Sequence, residues 1–471
     1  MNRLQRSVGV AIGAVASVGA VLMVWAGSGQ ASRYRLSPRR GVIFGAWHLL
    51  YDSAAPSVTT LTGAIGLALL LAAGIALVEH RVATRARRSL DRAHQPLAPR
   101  GIMTETRGVF AGPITVTVLI PAHNEAAGIG DTLESLNEQS RRPDRVIVVA
   151  DNCTDNTVGI ARAFGTDVFE TVDNRHKKAG ALNQVLAELL PRQGENDLVM
   201  VMDADTVLGE GFLASVVRRM TDDRGLMAVG ALFAGDGGGG ILGQFQRNEY
   251  TRYARDLHRR RGRVFVLTGT ATVFRPRALR CVAAERGFSI PGVPGDVYDT
   301  VALTEDNEIT LALKCLGALI ISPADCRVVT EIMPTPKLLW AQRLRWQRGA
   351  LENIGSYGFR GQTLRYWGQQ LGIGYGVVAL AAFSALMAIT VLAVDSWVWF
   401  PFWVGIGLVF VAERVITVWR GGWGARLLAA LLVPEMFYAL FLDVVYLKGV
   451  ADLSRGAKAE WSTSAAEGMA T

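Results

Sequence analysis

The segment that most constrains this chain is Leu198-Val199-Met200-Val201-Met202, which runs without a polar residue into Asp203-Ala204-Asp205. An unbroken apolar run of that length suits a strand buried on both faces of a parallel sheet. Its aspartates then fall at the strand's carboxyl end, where open α/β sheets place their ligands. Two carboxylates at i and i+2 across a turn can aim at one hard cation, and such a cation can hold a diphosphate. A ligand-free Asp-rich turn gives the same local pattern, so the surrounding residues must decide between them.

Strand and helix patterns alternate around this segment. Residues 115–120, 145–150, 198–202 and 226–233 read as strands, and 126–139, 157–164, 179–190 and 211–220 read as helices. That alternation implies a largely parallel sheet covered by helices on both faces. The glycine run at 236–240 lacks the lysine and hydroxyl of a phosphate loop and reads as a surface loop.

Outside this segment the chain is strongly apolar. Val8 to Trp25, preceded by Arg3 and Arg6, reads as a retained transmembrane helix rather than a cleaved signal, and Val58 to Val78 as a second span. Arg81, Arg85, Arg87, Arg88 and Arg92 follow and place the central segment in the cytosol of a plasma-membrane protein. Further spans are expected at 372–394, 397–418 and 427–447, the last interrupted by Pro434 and Glu435. The side of the membrane that holds the C-terminus stays open. Lys337 to Arg348 alternates apolar and basic residues at helical spacing, as in a helix lying in the membrane interface. The expected divisions are 1–94 (two spans), 95–335 (catalytic domain), 336–370 (interface helices), 371–448 (C-terminal spans) and 449–471 (tail).

The net charge of +8 owes much to arginines near the apolar tracts, which suit anionic lipid headgroups. Nucleic acid is excluded as partner, since no zinc-finger, RNP or basic heptad pattern is present. Cys153, Cys281, Cys315 and Cys326 have no metal-ligand spacing and read as reduced structural thiols.

Several motifs accompany the paired aspartates. The first strand ends in Ile120-Pro121-Ala122-His123-Asn124-Glu125 and the second in Ala150-Asp151-Asn152, on the same sheet edge as Asp203. Asp151 can accept from a nucleobase N–H and Glu125 from a ribose hydroxyl, although either can also cap its own loop. Residues His176 to Asn183 open a helix whose N-terminal lysines suit a phosphate or a solvated turn. Thr304-Glu305-Asp306 opens another helix, with Thr304 as its natural N-cap, and either acid is a candidate to take a proton from a sugar hydroxyl. Gln342, Arg345 and Trp346 sit at i, i+3 and i+4, on one helix face. There an indole can stack on a sugar and a guanidinium can bind a diphosphate, or both can anchor an interface.

In order, these motifs resemble the membrane-bound family 2 glycosyltransferases, which include the cellulose, chitin, hyaluronan and poly-N-acetylglucosamine synthases. The likeness covers roughly Val116 to Arg348 plus the flanking spans. It implies an α/β, Rossmann-like GT-A fold, a nucleotide-diphosphate sugar donor (usually UDP-linked) and a Mg2+ or Mn2+ ion. By that resemblance Pro121, Ala122, Glu125, Asp151, Lys178, Asp203 and Arg345 contact the donor. Asp205 ligates the metal with Asp203 beside it, and Asp306 is the catalytic base. Gln342, Trp346, Gly269, Thr270 and Glu305 face the acceptor. The expected reaction inverts the anomeric centre and extends a β-linked polysaccharide; the alternative is transfer of one or a few sugars to a membrane lipid.

Overall fold

The computed structural model describes residues 39–43, 47–51, 113–259, 262, 264–393, 398–399 and 401–457. The expected spans at Val8–Trp25 and Val58–Val78 lie outside these residues. The chain divides into two compact units. Among the described residues, the first holds 113–367 and 445–457, and the second holds 39–51 and 368–444. In the second, β1 (Arg39–Ile43) and β2 (Trp47–Tyr51) form an antiparallel pair, and a further short strand, Val398–Trp399, adds to β2 in parallel.

The first unit is built on a seven-stranded sheet, order β11-β8-β10-β6-β3-β4-β5. Its strands are β3 (Thr115–Ala122), β4 (Arg145–Ala150), β5 (Asp167–Glu170), β6 (Asp197–Met202), β8 (Leu226–Gly230), β10 (Ala271–Phe274) and β11 (Leu319–Ile321). All neighbouring pairs are parallel except those of β10, which runs against both β6 and β8. The expected parallel sheet is thus present with one inverted strand. A smaller sheet joins β7 (Val207–Leu208), β12 (Arg327–Thr330) and β9 (Leu232–Gly235). The expected strand at 226–233 is therefore two, because the chain leaves the large sheet at Ala231 and enters the small one.

Alternation along β3 and β6 explains the layering. Val116, Val118, Ile120, Met200 and Met202 share one core with Leu133 and Leu136 of α1 (Ile129–Asn137) and with Phe212 and Val216 of the helix Phe212–Asp222. Their neighbours Leu119, Val199 and Val201 point to the opposite face and are equally buried. The helices Lys177–Leu189 and Pro276–Glu285 lie against the sheet's strands as well. A sheet buried on both faces needs continuous apolar strands, as β6 has.

The C-terminal helices depart from the expected boundaries. Leu364–Ala393 is the one described helix long and apolar enough to cross a membrane, over Leu364–Ala388. At about 1.5 Å per residue that stretch spans roughly 37 Å, more than the ~30 Å of hydrocarbon. Pro401–Thr417 has only 17 residues. The last expected span is a pair of helices bent by 91°, and it raises the possible count to two if taken as one broken span. The break falls at Leu431, not at Pro434, because a proline in the first turn of Leu432–Arg455 costs no helical hydrogen bond. The helix Pro336–Tyr357, read as an interface helix, buries Leu339, Arg343, Gly349, Leu351 and Asn353 within the first unit.

Candidate active site

The carboxyl ends of β3, β4 and β6 open on one edge, and each carries its motif there. At the end of β4, Asp151 is only 7 % exposed, and its Oδ1 accepts from Asn152 Nδ2 (3.0 Å), Thr171 Oγ1 (2.9 Å) and Asn174 Nδ2 (2.8 Å). Its carboxylate is thereby fixed before any ligand arrives. Asn124 and Asn152 take left-handed φ of 58° and 49°, which turn the chain sharply off both strand ends. His123 and Asn124 tie the two loops together, through Asp151 O and the Thr154 amide. Pro121 and Ala122 stand in register with Val149 and Ala150, so both lie at the base of this edge.

Asn174 links Asp151 to the next motif. Its amide also donates to Lys177 O at 2.7 Å, while its carbonyl accepts from the His176 amide. It sits so close over the first turn of the helix Lys177–Leu189 that a Cβ at Gly180 would lie 2.1 Å from its Oδ1. This packing gives the glycine of His176–Asn183 a steric reason. Lys178 in that turn reaches Asp203 Oδ1 at 2.5 Å and Glu305 Oε1 at 2.8 Å.

Asp203, Glu305 and Asp306 converge on Lys178 and Gly269. The Gly269 amide donates to Asp306 Oδ2 at 3.2 Å, and the Asn307 amide donates to Asp306 Oδ1 at 2.7 Å. A Cβ on Gly269 would stand 3.3 Å from Lys178 Nζ, 3.4 Å from Asp203 Oδ2 and 3.7 Å from Asp306 Oδ2. The Asp203 amide also donates to Thr270 O, so β6 and the 268–270 loop share a backbone bond. Lys178, Gly269, Tyr298, Glu305 and Asp306 line a common cavity.

Burial and charge set the protonation of these acids. Burial, with like charge from Glu305, pushes the Asp306 carboxyl up to about 6. Burial also pushes Asp203 up to about 6, against the pull of Lys178. Glu305 is buried too, yet the Lys178 ammonium overrides that and holds it below its ordinary value. Lys178, despite its own burial, is held well above its ordinary value by Asp203 and Glu305. One helix turn thus carries two neighbouring acids with opposite tendencies, the arrangement that separates a proton acceptor from a fixed charge.

A second acidic group surrounds Asp205. Its carboxyl is raised by burial and by Glu331, and Glu125 is pushed up to about 7 by burial, Asp205, Asp203 and Glu331. Glu125, read as a ribose contact, thus has other carboxylates as its electrostatic neighbours. Glu331 was not singled out in the sequence. The antiparallel pairing of Val328 with Leu208 and Val329 with Val207 brings the two segments together, and Glu331 is an electrostatic neighbour of Asp205. Among the described residues, no group of three or more histidine, cysteine or acidic side chains is gathered tightly enough to hold a metal by itself. Asp203 and Asp205 nonetheless fit a cation that takes its other ligands from a diphosphate, because their crowding is relieved by positive charge.

On the helix Pro336–Tyr357, Arg345 lies within electrostatic reach of Glu305 and Lys177. Trp346 is stacked by the Arg343 guanidinium at 4.3 Å, and Arg343 pairs with Glu249 at 3.0 Å. Gln342 keeps a buried carbonyl oxygen without a hydrogen-bond partner. Thr304 is the N-cap residue by position, but its side chain does not cap its helix. Its hydroxyl instead accepts from Asn353 at 3.2 Å. Gly349 packs against it, where a Cβ would meet Thr304 Oγ1 at 2.4 Å. Two residues on from Asp306, Glu308 forms a fully buried pair with Arg286 and accepts from the Tyr357 hydroxyl. None of these supports has a local sequence signature.

Residues 117–283 match the profile of glycosyl transferase family 2. This central segment is a family 2 glycosyltransferase domain. Over 243 residues the chain is 26 % identical to a poly-β-1,6-N-acetyl-D-glucosamine synthase of Staphylococcus aureus, covering 50 % of this chain and 55 % of that one. A probable glycosyltransferase of Bacillus subtilis, YdaM, is 31 % identical over 247 residues, or 50 % and 54 % of the two chains. The chain thus spans about half the length of the curated relatives it matches. Among solved structures, the mannosyltransferase PcManGT from Pyrobaculum calidifontis, in complex with GDP-Man and Mn2+, shares 18 % identity at a TM-score of 0.49. That match covers 84 % of this chain and 99 % of the other. Glucosyl-3-phosphoglycerate synthase from Mycobacterium tuberculosis, in complex with Mn2+, UDP and phosphoglyceric acid, shares 19 % at 0.35, over 52 % and 80 %.

Proposed function

We propose that this protein is an inverting, metal-dependent glycosyltransferase with a GT-A-like catalytic domain, moving a sugar from a nucleotide-diphosphate donor to a growing β-linked polysaccharide. The observation that carries this reading is the meeting of Lys178, Glu305, Asp306 and Gly269 around one cavity, with Asp203 paired to the same lysine. Asp151, fixed by three donors, receives the nucleobase; Pro121 and Ala122 form the wall beneath it. Lys178 and Arg345 bind the diphosphate and take up charge as it departs. Asp203 and Asp205 hold the Mg2+ or Mn2+ ion, which when bound neutralises the same charge. Asp306, ionised above about pH 6 and aimed by the Gly269 amide, accepts the proton of the acceptor hydroxyl. Glu305 stays charged and holds Lys178 in place, while Gln342, Trp346, Gly269 and Thr270 seat the acceptor. The polysaccharide product and the membrane setting are supported by the synthase relative and by the apolar helix Leu364–Ala393.

Full-length protein in detergent, given a panel of nucleotide sugars, is expected to release nucleotide diphosphate from one of them and to build a polymer on sizing gels. Asp306→Asn should lower turnover by about a thousandfold or more while UDP affinity stays within about twofold. Near-normal turnover in that variant removes the assigned base. A short chloroform-soluble product would indicate a lipid acceptor instead.

A further inference from the structure

We infer that Tyr298 is a substrate-contacting residue whose phenol hydroxyl hydrogen-bonds a carbohydrate hydroxyl where donor sugar and acceptor meet. The inference rests on the proposed transferase reaction and adds a residue that no motif in the chain identifies. Tyr298 is 3 % exposed and lines the cavity together with Lys178, Gly269, Glu305 and Asp306. Its backbone is held from both sides by one side chain. The Val297 and Tyr298 amides donate to Asn183 Oδ1 at 3.1 and 2.8 Å, and Asn183 Nδ2 donates to Tyr298 O at 2.9 Å. Asn183 lies on the helix that presents Lys178, so one rigid element positions both the lysine and the tyrosine.

The hydroxyl, in contrast, joins no hydrogen bond among the described residues. The phenols of buried tyrosines normally find a partner in the protein, and this one is left to whatever fills the cavity. Here the ring is packed and the backbone is clamped, yet the polar end faces a cavity lined by Lys178, Glu305, Asp306, Thr268 and Thr272. A sugar hydroxyl both donates and accepts and so complements a neutral phenol. Burial raises the phenol's pKa, which keeps it a neutral donor and acceptor throughout the working range.

Tyr298→Phe keeps the ring and removes only the oxygen. Its melting temperature should stay level, because the packed ring is kept and the hydroxyl has no protein partner to lose. UDP affinity measured by calorimetry with Mn2+ should remain within about twofold, while transfer efficiency falls on the order of 10-fold or more. A loss shared by donor hydrolysis in the absence of acceptor assigns the contact to the donor sugar. A loss confined to transfer, with hydrolysis unchanged, assigns it to the acceptor. A fall in melting temperature or in UDP affinity would mean that the hydroxyl has a structural partner and would overturn the inference. Unchanged transfer kinetics would overturn it equally. If the wild-type protein turns over no nucleotide sugar, the proposed function fails and this contact fails with it. An active wild type matched by Tyr298→Phe defeats the contact alone.

Discussion

At the residue scale, the site is an arrangement of acids that burial would keep neutral and a lysine that keeps one of them charged. Asp306 has a raised carboxyl near 6, so the ionised form needed to accept a proton is lost as pH falls through that value. The pH profile of kcat/KM should therefore have an acidic limb near pH 6, steeper than that of UDP binding, and Glu305→Gln should displace it downward by removing a neighbouring negative charge. Raised carboxyls at Asp203 and Glu125 also predict proton release when Mn2+ and UDP bind together. Calorimetry at pH 6.5 in two buffers of different ionisation enthalpy would measure it as a heat difference. These charged residues were legible in the sequence because each sits in a short motif at a strand end or helix start. Tyr298 and Glu331 were not, nor was the bond that Asn183, at the end of its motif, makes to Tyr298. Their roles depend on pairings over many residues, such as Asn183 with Tyr298, that no local spacing encodes.

At the element scale, the short helix carrying Glu305 and Asp306 is braced by another helix, Pro336–Tyr357. Gly349 touches Thr304, Asn353 donates to its carbonyl, and Tyr357 donates to Glu308. Gly349→Ala would insert a methyl group where Thr304 already stands, with a cost of about 1–3 kcal/mol as for other overpacked sites. Chemical denaturation should show that loss, accompanied by lower turnover, since the displaced turn holds Asp306. The helices and central strands were readable from periodicity. Strand β10 was not, because Ala271-Thr272-Val273-Phe274 is short and has no alternation to distinguish it from a loop. The alternation of basic and apolar residues at 337–348 suggested a membrane-surface helix. That pattern did not show that Arg343 is buried, where Glu249 and the Trp346 ring receive its charge.

At the scale of the whole molecule, the α/β unit carries every group assigned to chemistry, and the apolar helix Leu364–Ala393 follows it in the chain. The intact protein is therefore expected to stay in the membrane fraction through a high-pH carbonate wash and to dissolve only in detergent; release by the wash would contradict membrane insertion. Within the α/β unit, the inverted strand β10 has a consequence for how the rim of the sheet is supplied. Parallel neighbours deliver only their endings to that rim, but β10 delivers its beginning, so the stretch before it arrives from the opposite side of the chain's path. Specificity on that side can diversify by lengthening or exchanging this stretch, without redrawing the parallel strands whose ends carry Asp151 and Asp203.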